Sequence, residues 1–64
     1  MMIKLTKVLG LLGEGEKVII CEGETKLYSG EMGKCPKSVW CHAVVKEMKF
    51  NNHLERYIIS VRYM

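Results

Sequence analysis

Four runs of β-branched and aromatic residues constrain this chain most: 16–22 (EKVIICE), 25–29 (TKLYS), 43–50 (AVVKEMKF) and 54–63 (LERYIISVRY). Runs of this kind, bounded by Gly, Pro and Asn, read as strands. The first two flank Glu22-Gly23-Glu24, a tight turn. The last two flank Asn51-Asn52, which suits a two-residue type I′ loop because Asn tolerates positive φ. Two hairpins within 64 residues make a single domain, 1–64, and exclude a two-domain enzyme, a dinucleotide-binding Rossmann domain or a TIM barrel.

What remains outside the strands is short. Leu5, Val8, Leu9 and Leu12 recur at i, i+3, i+4 and i+7, one helical stripe. The spacing predicts a helix over 7–12, capped by Thr6 and stopped by Gly13 and Gly15. Residues 30–38 hold two glycines and the only proline, so they connect; Pro36 opens a second short helix, 36–41, carrying Val39 and Trp40. The expected fold is α+β: an N-terminal helix packed on a small, twisted, mostly antiparallel four-stranded sheet, with the second helix between the two hairpins.

A two-residue loop at Asn51-Asn52 fixes a register for the last hairpin. Glu47 then faces Arg56, Val45 faces Ile58 and Val44 faces Ile59, a ladder of one opposite-charge and two apolar pairs. Val44, Met48, Tyr57, Ile59, Val61 and Tyr63 line one side; Val45, Leu54 and Ile58 lie on the other with Arg56, Ser60 and Arg62. Composition matters here, because 48 % of the chain is hydrophobic and a domain of this size has one small core. The second side keeps an apolar centre. It is covered either by helix 36–41 or by another copy of the chain, so a homo-oligomer is an expected partner state.

The net charge is +3, from ten bases scattered singly, against seven acids that are all Glu. Dispersed bases argue against a basic tail. Three cysteines cannot close a disulfide framework, no segment reads as a signal peptide, and no apolar stretch reaches the ~20 residues of a membrane span. These features predict a cytosolic chain with reduced thiols and no membrane partner.

Catalytic and metal constellations are weak. Cys21, Cys35, Cys41, His42 and His53 lack the paired spacing of a zinc site, and the adjacent Cys41 and His42 diverge on any regular element, so neither a metal nor a thiol dyad is expected. The glycines of residues 10–15 (GLLGEG) end a helix and lead into a strand, the reverse of a phosphate-binding loop. Nothing asks for a cofactor. What stands out is a candidate binding surface. Arg56 and Arg62 share a strand face, with Lys46 near them on the neighbouring strand, and Tyr57, Tyr63 and Trp40 supply rings; Arg with aromatic planes is equipment for a base and its phosphate. Trp40 is also a candidate anchor for a protein partner.

The run TKVLGLLGEGEKVIICEGETKLYSGEMGKCP resembles small uncharacterised proteins encoded by phages and prophages of low-GC Gram-positive bacteria. The resemblance spans about residues 4–63 and is one of pattern: a leucine-rich helix, a glycine turn, a strand like EKVIICE and a second ending like LYSGEMGKCP. It implies a phage accessory protein in the cytoplasm of a bacterial host. The expected function is non-enzymatic, stoichiometric binding, as an inhibitor of antiviral defence that blocks a host protein or sequesters an anionic nucleotide signal. The alternative is a single-stranded nucleic-acid-binding β-sheet module.

Overall fold

The structure, a computed structural model, describes residues 3–63. In chain order it comprises β1 (Ile3–Lys4), α1 (Leu5–Leu12), β2 (Lys17–Glu22), β3 (Thr25–Glu31), a 3₁₀ turn (Met32–Lys34), α2 (Lys37–Trp40), β4 (Ala43–Asn51) and β5 (Arg56–Tyr63). The strands form one sheet in the order β1-β4-β5-β2-β3. The α+β class holds, with five strands rather than four.

The extra strand comes from the start of the chain. Ile3 and Lys4 pair antiparallel with Val45 and Val44, and the backbone at Lys4 is still extended (φ −67°, ψ 141°) where it enters α1. The helix therefore begins two residues before the predicted 7, and Lys4 rather than Thr6 takes the capping position, with no side-chain hydrogen bond there. An eight-residue helix has little stability of its own. Leu5 and Val8, both fully buried, hold α1 on the sheet.

The two hairpins are antiparallel, but they join through parallel pairing of β2 with β5, Val18 opposite Tyr57 to Cys21 opposite Ser60. The first hairpin turns at Gly23, whose φ of 62° suits the first central position of a two-residue loop. The second hairpin departs from its predicted register. Its loop is four residues, 52–55, so Asn51 faces Arg56. Asn51 uses its side chain rather than a positive φ: its Oδ1 accepts the Leu54 N–H at 2.9 Å, and Glu55 takes the left-handed conformation (φ 54°). A bulge between Val45 and Glu47 then shifts the ladder again. Val45 faces Val61, Val44 faces Arg62 and Glu47 faces Ser60, so Glu47 and Arg56 are not cross-strand neighbours.

These shifts exchange Val44 and Val45 between the two sides. Val45, Met48, Tyr57, Ile59, Val61 and Tyr63 lie on the helix side, while Val44 joins Arg56, Ile58, Ser60 and Arg62 on the other. Leu54 belongs to the exposed loop. The core sits under α1 and gathers Leu5, Val8, Val18, Ile20, Val45, Ile59 and Val61 from four elements, with Met32 from the 3₁₀ turn. That turn is tied to the loop after α1: the Met32 N–H donates to Glu16 O (2.8 Å) and the Gly33 N–H to Glu14 O (2.9 Å). A Cβ on Gly33 would lie 2.7 Å from the Glu14 Cβ, so only glycine permits this approach.

The two sides of β5 predict different costs. Ile59→Ala, at a fully buried position, lowers stability by about 2–5 kcal/mol. Ile58→Ala, on the half-exposed side, costs about 1 kcal/mol or less. Urea denaturation of both variants checks this; equal losses would contradict the assignment of faces.

Candidate functional site

α2 packs on the helix side of the sheet, not on the other. The Tyr63 hydroxyl donates to Val39 O at 2.6 Å, and Val39 and Trp40 both pack against the core. On the opposite side Ile19, Cys21, Ile58 and Ser60 stay half-exposed, and Val44 is buried. The centre of this side is Ile19 and Cys21 on β2, Ile58 and Ser60 on β5, and Val44 on β4. Around it stand Lys4, Lys17, Lys26, Lys49, Arg56 and Arg62, against only Glu31 and Glu47. This face carries a net +4, and the remaining chain a net −1.

Local chemistry holds some of these side chains. The Arg56 Nη1–H donates to Ser29 Oγ at 3.2 Å, reaching across β2. Glu47 lies 3.9 Å from the Lys49 ammonium, both well exposed, so the pair contributes little. Lys46 is the extra residue at the bulge and is exposed.

The six residues singled out in the sequence do not form one site. Arg56 and Arg62 share the basic face. Tyr57 and Tyr63 sit on the same strand but point to the helix side, where Tyr57 meets the edge of Phe50 (centroids 5.1 Å apart). Trp40, at the end of α2, stands between two clefts and walls both.

One cleft lies at the corner of the sheet. Its volume is about 310 Å³ and its walls are Lys4, Thr6, Trp40, Cys41, His42, Ala43 and Val44. Val44 links it to the basic face, because Lys4, Val44 and Arg62 sit in one cross-strand row on that face. His42 turns the chain into β4 with φ 64°, a conformation uncommon for a residue with a Cβ. Of the six candidate binding residues only Trp40 lines this cleft directly; Lys4, Thr6, His42 and Val44 were not read as binding residues, since the bulge and the extra strand bring them together. The second cleft, about 360 Å³, is lined by Leu9, Gly10, Glu14, Met32, Gly33, Cys35 and Trp40.

The cysteines are free thiols, and among the described residues no group of three or more His, Cys or Glu could hold a metal ion. No helix among the described residues is long and apolar enough to cross a membrane. Comparison with known proteins found no matching family model, curated protein or solved structure.

Burial pushes the Cys35 thiol above its ordinary range. Tyr63 is also raised, by burial first and then by the charges of Glu22 and Cys35. The fold favours the neutral form of both groups. Their contribution is full at neutral pH and is lost as pH rises through the raised values, so stability declines beyond about pH 9. Denaturation midpoints across alkaline pH check this. Tyr63→Phe lowers the neutral-pH midpoint by removing the bond to Val39, about 1 kcal/mol, and flattens the alkaline decline.

Proposed function

We propose that this chain is a non-enzymatic binding protein that docks an acidic protein surface stoichiometrically on its basic sheet face. The observation that carries this reading is the composition of that face: the half-exposed Ile19 and Ile58, with the buried Val44 beside them, within a ring of lysines and arginines. Apolar area supplies affinity, and the ring supplies steering and selection of an anionic partner. Two copies meeting through this face would set +4 against +4, which disfavours the homo-oligomer as its occupant. A setting as a phage accessory that blocks a component of bacterial defence rests on the sequence resemblance alone.

The nucleic-acid reading shares the bases but lacks the rings. A β-sheet platform stacks bases on aromatic side chains of its exposed face. Here Phe50, Tyr57 and Tyr63 lie on the helix side.

The test uses a labelled peptide of alternating glutamate and leucine and a labelled oligothymidine, followed by fluorescence anisotropy. The peptide is expected to bind and to lose at least about tenfold in affinity with Lys49→Glu/Arg56→Glu. Lys34→Glu/Lys37→Glu has the same net charge, with its changes on the 3₁₀ turn and α2, and is expected to bind as the parent does. Equal loss in both variants would reduce the effect to net charge and overturn the proposal. Tighter binding of oligothymidine, with affinity falling steeply in salt, would favour the nucleic-acid module instead. Native mass spectrometry at low salt is expected to show a monomer.

A further inference from the structure

The corner cleft has its own chemistry. Trp40, Ala43 and Val44 make it largely apolar, while Thr6 and His42 bring polar groups to its wall. Its volume, about 310 Å³, is at the small end of ligand-binding cavities. No carboxylate lines it, and its one permanent charge is the Lys4 ammonium. Neither Lys4 nor Arg62 has an ion-pair partner among the described residues. The two flank Val44 in the cross-strand row, one strand away on either side. Their backbones are thus about 10 Å apart, a span over which two long cationic side chains can converge on one anion.

We infer that this cleft binds a small ligand joining a planar ring to a single anionic group, with the ring against Trp40 and the anion between Lys4 and Arg62. An indole wall rewards a flat apolar partner, and the Lys4 and Arg62 cations reward a carboxylate or phosphate. His42 and Thr6 can donate to or accept from polar atoms on the ring. The cleft shares Lys4, Val44 and Arg62 with the basic face but not Arg56 or Lys49. Arg56 stands at the far end of β5, six residues from Arg62 and about 20 Å along the strand.

Trp40 is the only tryptophan, so its fluorescence reports on the two clefts it walls, and the Lys4 and Arg62 variants separate this cleft from the other. The titrants are adenosine 5′-monophosphate and benzoate, two sources of the same chemistry, with adenosine and benzyl alcohol as their neutral counterparts. At least one anion is expected to give a saturable change and to bind about tenfold or more tightly than its counterpart; which one does so identifies the source. Lys4→Ala and Arg62→Ala, both at exposed positions, are expected to weaken that anion by about tenfold each. Arg56→Glu is expected to leave it within about twofold, so a failed docking proposal and a failed cleft are told apart. Amide shifts confined to Thr6 and residues 40–44 in a two-dimensional NMR spectrum would place the ligand. Three results would overturn the inference: no saturable response to either anion, neutral counterparts binding equally well, or unchanged affinity in both alanine variants.

Discussion

The parallel pairing of β2 with β5 makes one protein out of two hairpins. An isolated hairpin is marginal in water, and neither hairpin here has a core of its own. Pairing Val18, Ile19, Ile20 and Cys21 with residues 57–60 puts the two most apolar strands side by side at the centre of the sheet. Val18, Ile20 and Ile59 then form one floor for Leu5 and Val8 of α1. Everything else is conditional on that floor, since α1 is too short to hold alone and the 3₁₀ turn is fixed by bonds to the loop that follows α1. The contact is also distant in sequence, about forty residues from Val18 to Tyr57, so closing it carries a large loop-entropy cost.

A single residue decides what the outer face is made of. Without the bulge at Lys46, the ladder of β4 would keep one parity, and Val44 would lie on the same face as Met48. The bulge instead sends Val45 into the core and Val44 to the outside, between Lys4 and Arg62. Without it the corner cleft would lose its floor and the basic face part of its apolar centre. Bulges recur where a strand must re-aim a side chain, and this one re-aims the half of β4 that borders Trp40.

The elements legible in the sequence were those whose signal is local. Periodicity exposed the leucine stripe of α1, and β-branched runs bounded by Gly and Asn exposed β2 to β5 to within a few residues. Pro36 marked α2. The features that were not legible depend on partners far away in the chain. Ile3 and Lys4 form a strand only because β4 offers an edge, and two residues carry no period. The loop at 52–55 looked like an Asn-Asn turn because Asn51 serves either geometry, with its backbone in one and its side chain in the other. The site suffered more than the fold, because one-residue errors of register move a side chain to the opposite face. Val44 and Val45 changed places in this way, whereas Arg56 and Arg62 share one face and Tyr57 and Tyr63 the other, as the alternation of β5 already implied.

That separation of rings from bases has a physical basis. Alternation on β5 (Arg-Tyr-Ile-Ile-Ser-Val-Arg-Tyr) assigns every aromatic residue to one face and every arginine to the other. The core side gains large apolar area from Tyr57 and Tyr63, and the Tyr63 hydroxyl keeps a polar partner in Val39 O. The outer side gains charge that would be costly to bury. In so small a domain one layer of helix and turn suffices for one face only. The residues left outside must therefore tolerate water, and here the half-exposed Ile19 and Ile58 lie among lysines and arginines. Long basic side chains lay their methylenes over such a centre and keep their charges hydrated. A face built this way is stable in water, and under the proposed docking it would yield its apolar area as an anionic partner drew those charges outward.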